Sequence, residues 1–411
     1  MANTVRLRNS GGRWAVRLIP CFIVAVITFA TYVVVGHICI DYLNSQRRES
    51  GVAAALLVLY FLCLIFSAAT YLRTIYTVQT NPAIVPLPHG RDTGSHDIPK
   101  RSRRNPDPEA PAWGSWNPPD NNPDSPGLEQ FYSKSVFVCQ ADGRPNWCSE
   151  CRHWKPDRAH HSSDLGRCIR KLDHVCPWVG GMVSETSFNF FVQFTFYCTG
   201  LCIVTLSAGA YCLSLQRRNG ESVDGLVVAV IALSGFFGFF TMAMTLTSGR
   251  YIFTNITNID MLKGSQKYQL AIRIPRNSPP TDRYHTIVYP LARPQGFGAA
   301  PNVSSPHDSM SSGSVRDKEA IHTFAIVQTE LGENPWDLGY WRNWKSVMGN
   351  NIVEWLLPIK HSPCCNHESM ESDYEYGPLI AELKRRFGLP DEQLPGAETG
   401  IEMQHRRPSH R

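Results

Sequence analysis

The chain has 411 residues, with 40 Lys+Arg against 35 Asp+Glu, a formal net charge of +5 and 13 cysteines. Charged residues make up only 18%, below the roughly one quarter of ordinary soluble domains. Residues 18–40, 51–72, 188–216 and 225–249 contain no Asp, Glu, Lys or Arg at all, which excludes a single soluble globule.

In chain order, residues 1–17 form a short terminus carrying Arg6, Arg8, Arg13 and Arg17. Residues 18–40 and 51–72 are the first two membrane spans, because about 20 helical residues cross a hydrocarbon core of about 30 Å. A cleaved leader is a poor reading of the first run, which lacks a clean small-residue cleavage site and is followed closely by a second span. His37 inside it is expected to be satisfied within the bundle, and Cys21, Cys39 and Cys63 to be small packing residues. The short loops 41–50 and 217–224 hold two Lys/Arg each. The positive-inside rule therefore places both termini and the long central loop in the cytosol. The expectation is a multi-pass protein of an endomembrane or the plasma membrane.

Residues 73–136 read as a linker, rich in Pro, Asp and Asn between Asn81 and Gly127, with a basic knot at 100–104. Residues 137–187 change to Cys, His, Trp and Arg with few aliphatics. A domain with so little oil needs a metal staple to fold. In a reducing compartment its cysteines read as metal ligands or catalytic thiols rather than disulfides. Cys148 and Cys151 form a CxxC pair, a spacing that lets two thiolates share one tetrahedral zinc. His161 and Cys168 are the nearest residues to complete the set, with His160 and His153 competing for the nitrogen position. A redox CxxC is the rival reading, but it calls for a thioredoxin-like βαβ setting that is absent. Asp173, His174 and Cys176 lie within four residues. An imidazole beside a thiol can take its proton, and a carboxylate can orient that imidazole. By composition alone His174 and Cys176 serve equally well as further metal ligands.

Residues 188–216 and 225–249 are the third and fourth spans, and 250–411 form a cytosolic tail. Its stretch from Ile274 to Lys318 is Pro/Ser/Asn-rich and reads as disordered. Structure is expected to return between Ile321 and Trp355. Leu379–Phe387 is amphipathic, with Leu379, Ile380, Leu383 and Phe387 opposite Lys384, Arg385 and Arg386. It suits a membrane surface or a docked helix equally. Cys364 and Cys365 are candidates for acylation, and the glycosylation patterns at Asn255 and Asn302 stay bare on this topology.

The segment from Cys148 to Phe191 resembles the cysteine-rich domain of the DHHC family of protein S-acyltransferases. The resemblance rests on Cys148, Cys151, Lys155–Pro156, Arg158, His160–His161, Cys168, Asp173, His174, Cys176–Pro177–Trp178 and Asn189–Phe190–Phe191. Looser matches are Asn81–Pro82–Ala83, the run from Asn255 to Asp260, and Asn334 to Gly339 with Asn343. The resemblance implies an α-helical polytopic membrane protein: four transmembrane helices with a cytosolic zinc-binding cysteine-rich domain between helices 2 and 3. It also implies a first zinc on Cys148, Cys151, His161 and Cys168. The family's second zinc site aligns with Ser162, Leu165, Val175 and Met182, none a family ligand. One zinc per chain is therefore expected, with Leu165, Val175 and Met182 forming an apolar cluster and Ser162 at its edge. The tetrapeptide reads DHVC, in which the catalytic histidine survives as His174.

The implied activity is palmitoyl transfer from palmitoyl-CoA, or another long-chain acyl-CoA, to cysteines of proteins at the cytosolic face. Cys176 would be the nucleophile, His174 the base and Asp173 its orienter. Arg158, Arg167, Arg170 and Lys171 are candidates to meet the CoA phosphates. The expected partners are membrane lipid, acyl-CoA and protein substrates, and no nucleic acid. The alternative is a non-catalytic membrane scaffold that keeps the fold. A transporter is disfavoured because His37 is the one ionisable residue in the four runs.

Overall fold

Each charge-free run becomes one long helix in the computed structural model, which describes residues 10–87, 127–264, 266–276, 278–279, 281–289, 322–364 and 367–390. Helix α1 (Ser10–Thr31) continues as a π-helical stretch, Tyr32–Gln46. Helices α2 (Ser50–Thr80), α4 (Phe188–Arg218) and α5 (Gly225–Thr254) complete the four. They run past the expected spans of 18–40, 51–72, 188–216 and 225–249. A charge-free run marks the segment that tolerates hydrocarbon, whereas the helix continues into polar ends such as Arg73. The hydroxyls of Thr70, Thr74, Ser234 and Thr245 donate to carbonyls four residues back at 2.6–2.8 Å, so these polar groups sit in apolar surroundings with their donors satisfied.

The bundle core is built from Val33, Val34, Ile38, Leu43, Tyr60, Leu201, Ala208 and Val230. Helices α4 and α5 approach closely at Gly209, where an added Cβ would stand 2.7 Å from Ile231 Cγ1. His37 is satisfied as expected: its Nε2 lies 2.5 Å from Asp224 Oδ2. Asp224 also caps α5 by accepting from the Leu226 amide at 2.7 Å.

Between α2 and α4 the chain forms three two-stranded hairpins. These are β2 (Asn146–Cys148) with β3 (His153–Lys155), β4 (His160–Ser162) with β5 (Arg167–Ile169), and β6 (His174–Cys176) with β7 (Gly181–Val183). Ahead of them lie a one-turn helix, α3 (Glu129–Tyr132), and strand β1 (Val136–Cys139). Beyond α5 comes α6 (Asn258–Lys263).

Strand β1 belongs to an antiparallel sheet ordered β1-β8-β10-β9. Its other strands come from the tail: β8 (Gln269–Ile274), β9 (His285–Tyr289) and β10 (His322–Gln328). This corrects two expectations. The linker boundary at 136 cuts into a folded unit, and the tail stretch from Ile274 contains a strand at His285–Tyr289. The basic knot at 100–104, Asn302 and Cys365 lie outside the described residues.

One sheet face packs Phe137, Ala271 and Phe324 against Phe131, Tyr132 and Trp154. The other packs Leu270, Ile272 and Val327 against the last helix, α9 (Leu379–Phe387), whose Leu383 is fully buried. The amphipathic 379–387 segment is thus a docked helix. Two short helices, α7 (Tyr340–Met348) and α8 (Ile352–Leu356), lie against the start of α4. There Gln193 Nε2 donates to the carbonyls of Glu354, Trp355 and Leu357.

Candidate active site and metal cluster

Hairpin register assembles the metal cluster. Cys148 ends β2, and the turn to β3 brings Cys151 back, with Arg152 at φ 51° and the Cys151 amide 3.4 Å from Cys148 Sγ. In the next hairpin His161 pairs directly with Cys168. The side-chain donors of Cys148, Cys151, His161 and Cys168 all lie within 4.8 Å of one another. His161 Nδ1 stands 3.5 Å and 3.2 Å from the sulfurs of Cys148 and Cys151. Three sulfurs and one imidazole nitrogen at this spacing are a donor set that can hold a metal, and tetrahedral zinc fits it. The two competing histidines fall elsewhere. His153 turns its Nδ1 to the Trp154 carbonyl at 2.7 Å. His160, one residue along β4, sits opposite Ile169 on the other face, where burial pulls its pKa down to about 4.

The third hairpin carries His174 and Cys176, two residues apart in β6 and so on one face of the strand. Asp173 immediately precedes it. His174 Nδ1 lies 2.7 Å from Asp173 Oδ2. That contact fixes the tautomer and leaves Nε2 buried without a hydrogen-bond partner among the described residues. Burial alone would lower the imidazole pKa. Asp173 and the neighbouring Cys176 sulfur outweigh it and raise the value from 6.5 to about 9. Asp173 is held in turn: its Oδ1 accepts from the Asn258 amide at 2.8 Å. The Asn258 side chain accepts from Tyr251 Oη at 3.0 Å.

Cys176 is buried in an apolar cluster with Val78, Val179, Val183 and Phe191, so its thiol sits where the hairpin meets α2 and α4. Helix α2 grips this hairpin. Tyr71 Oη donates to the Trp178 carbonyl at 2.9 Å, and Gln79 Nε2 to the Gly180 carbonyl at 2.8 Å. Gly181, opposite Cys176 in register, lies so close that a Cβ there would stand 2.3 Å from Val78 Cγ1. Tyr71 and Gln79 carry no signal in the sequence, since an ordinary Tyr and Gln near a span end are unremarkable until the hairpin is placed beside them.

At the four positions aligned with a second zinc, Ser162 Oγ lies 3.5 Å from Met182 Sδ. Leu165 and Met182 pack with Ile169, Leu172 and Ala83. Val175 departs from the expected cluster. It faces Met182 across the hairpin, yet 48% of its surface stays exposed.

The four basic candidates separate. Arg158 has a side chain only 1% exposed. Its Nη1 and Nη2 donate to Asn255 Oδ1 and the Asn255 carbonyl, both at 2.9 Å, and Nη2 reaches Asp260 at 3.1 Å. The guanidinium stacks 4.7 Å over the Trp336 ring. This spends Arg158 on joining the hairpins to the tail and takes it out of the expected phosphate set. Arg167 donates to the Val85 carbonyl at 3.0 Å, a contact that pins the segment after α2. Lys171 lies 3.4 Å from Asn255 Oδ1, and the Arg170 amide bonds the Ala83 carbonyl. Asn255, the glycosylation-pattern residue, is the left-handed cap of α5 and is buried.

The family model for DHHC palmitoyltransferase matches residues 141–265. Palmitoyltransferase pfa5 of Aspergillus fumigatus is 39% identical over 91% of this chain and 90% of its own length. Palmitoyltransferase pfa5 of Emericella nidulans is 35% identical over 96% and 90%. Palmitoyltransferase PFA3 of Candida albicans is 25% identical over 86% and 80%. Together with four membrane-spanning helices and a cysteine-rich unit between the second and third, these matches show that the chain belongs to the DHHC palmitoyltransferase family and is a multi-pass membrane protein S-palmitoyltransferase.

Proposed function

We propose that Cys176 carries the acyl group between acyl-CoA and the protein substrate. The observation that supports this most directly is the Asp173–His174 contact of 2.7 Å, with Cys176 two residues further along the same strand face. In the first step the proton shared by the pair rests on His174 Nε2, where the raised imidazole value favours it, and the Cys176 thiolate attacks the thioester carbonyl carbon. The bond to the CoA sulfur breaks, a thioester to Cys176 forms, and His174 returns the proton to the departing CoA thiolate. In the second step a substrate cysteine gives its proton to His174 and attacks the acyl carbon, releasing Cys176. Asp173 holds the imidazole in the required tautomer and stabilises its cation.

The burial of Cys176 among residues of α2 and α4 supports placing the acyl chain between those helices, where each buried CH2 contributes about 0.8 kcal/mol. For the CoA phosphates, Arg170 and Lys171 stay in the proposed set. One zinc per chain, held by Cys148, Cys151, His161 and Cys168, would cross-link the first two hairpins as a structural staple. The second site is replaced by packing around Met182. The Arg-rich terminus and the charge-poor short loops support a cytosolic placement of the hairpins. Protein substrates would then offer their cysteines from the cytosol. Enzyme acylated with palmitoyl-CoA, freed of donor and mixed with a cysteine peptide should transfer about one acyl group per chain. Label that stays on the enzyme while peptide acylation still requires added donor would overturn the two-step reading.

A further inference from the structure

A cavity of about 390 Å³ opens beside the tail and shares no residue with the apolar cluster around Cys176. It lies in the size range of small-molecule sites. Arg158, Lys171, Arg342 and Lys345 line it; Arg158 is already paired with Asp260, and Arg342 pairs with Glu375, the one acid of the lining. Arg342, Lys345 and Ser346 stand at spacings of three and four on α7 and so share one side of that helix. Lys171 enters from the hairpins, and Asn350 adds a polar group from the loop after α7. The concavity is therefore cationic and lined by hydrogen-bonding side chains, which suits an anion with several oxygens.

Its surroundings indicate where that anion resides. Beside the cavity, Tyr340 and Trp341 are 74% and 56% exposed, and Ile352, Val353 and Ile359 are 62%, 50% and 61% exposed. This stretch is fastened to the first turns of α4. Asn189 donates to the Lys360 carbonyl, Gln193 to three carbonyls of α8 and its exit, and Tyr197 to the Leu356 carbonyl. Exposed aromatic and aliphatic side chains tied to the end of a spanning helix lie at the membrane–water boundary, where Trp and Tyr are favoured. A cationic cavity adjoining that boundary faces lipid headgroups. We propose that this cavity binds the phosphorylated headgroup of an anionic membrane lipid, with Arg342 and Lys345 meeting the phosphate.

Cys364 lines the same cavity and is half-buried, so its alkylation reports occupancy without any reliance on turnover. Full-length protein would be reconstituted in phosphatidylcholine vesicles with or without about 5 mol% phosphatidylinositol 4-phosphate. The rate of N-ethylmaleimide attachment at Cys364 would then be followed by peptide mass spectrometry. The phosphoinositide should slow alkylation about fivefold or more. Arg342→Gln with Lys345→Gln should restore the rate while autoacylation is retained. If the double variant loses autoacylation, Lys345→Gln alone replaces it as the test. Equal rates with and without phosphoinositide, or protection that survives in the variants, would overturn the proposal. So would equal protection by phosphatidylserine at matched charge, which would mean surface attraction only. Equal protection by inorganic phosphate in detergent would make this a soluble-anion site, and equal protection by CoA would assign it to the acyl donor; either overturns the lipid assignment.

Discussion

His174 is buried beside a carboxylate and a sulfur that together keep it protonated to about pH 9. A raised folded-state value means that its charge stabilises the fold fully below about pH 6.5, and that this contribution is lost as pH rises through about 9. His367 behaves alike. Burial opposes its charge, but Asp373 and Glu185 raise it to about 9, with Glu185 Oε1 2.9 Å from its Nε2. The melting temperature of the purified protein should therefore fall by a few degrees between about pH 6.5 and 9. His367→Gln should flatten part of that fall, and an unchanged profile in this variant would show that the histidine does not carry it. Asp173→Asn keeps the shape but loses the charge and the tautomer control. Autoacylation should drop by about 10²–10⁴-fold with zinc content unchanged. The closeness of Asp173, His174 and Cys176 is legible in the sequence, because the three fall within four positions. Spacing alone does not choose His161 over His153 and His160, because all three lie close to the CxxC pair; the family resemblance implies His161, and the β4–β5 register sets it against Cys168.

At the scale of elements, the hairpin that carries Cys176 sits closely against α2. Gly181→Ala places a methyl against Val78, so the hairpin must shift. Near-attack geometry is sensitive to such movement, and a displacement of about 1 Å can cost about 10²-fold. Autoacylation of Gly181→Ala should fall by tenfold or more, and Val78→Ala in the same chain should restore much of it by removing the colliding atom. Failure of that rescue would show that the glycine matters for another reason. The spans were legible because hydrocarbon tolerates so few residue types over such lengths. The four-stranded antiparallel sheet was not. Its first strand, Val136–Cys139, finds its partner at Gln269–Ile274, on the far side of two spanning helices. Short strands paired at that distance leave no turn signal in the local text. The segment 379–387 shows the same limit from the other side: its amphipathic pattern fits a membrane or a sheet, and Leu383 lies on the sheet.

Across the whole molecule, the tail is the clasp. Arg158 joins the hairpins to Asn255, Asp260 and Trp336. Tyr374 donates to Glu185 at 2.5 Å, Tyr376 to Asp157 at 2.6 Å, and Lys134 pairs with Asp373. Removing Arg158 leaves Asp260 without its buried cation, a change that typically costs about 3–5 kcal/mol. Arg158→Gln should therefore unfold at markedly lower temperature, and near-parental stability would contradict this role. Metal analysis of the purified protein should find about one zinc per chain; two would show that the Ser162–Met182 region is not a replaced site. A tag in the loop around residues 47–49 should survive protease in sealed vesicles if the hairpins are cytosolic, and cleavage would reverse the orientation.

The acyl-enzyme on Cys176 is the centre of the account, and it is open to direct measurement. Purified protein in detergent would be given a clickable palmitoyl-CoA, beside Cys176→Ser and His174→Ala, and the label mapped by peptide mass spectrometry. Hydroxylamine-labile label on the Cys176 peptide of the parent, absent from Cys176→Ser and strongly reduced in His174→Ala, is the predicted result. A parent protein that holds its zinc and stays folded but takes no label, or that labels equally in Cys176→Ser, would contradict it.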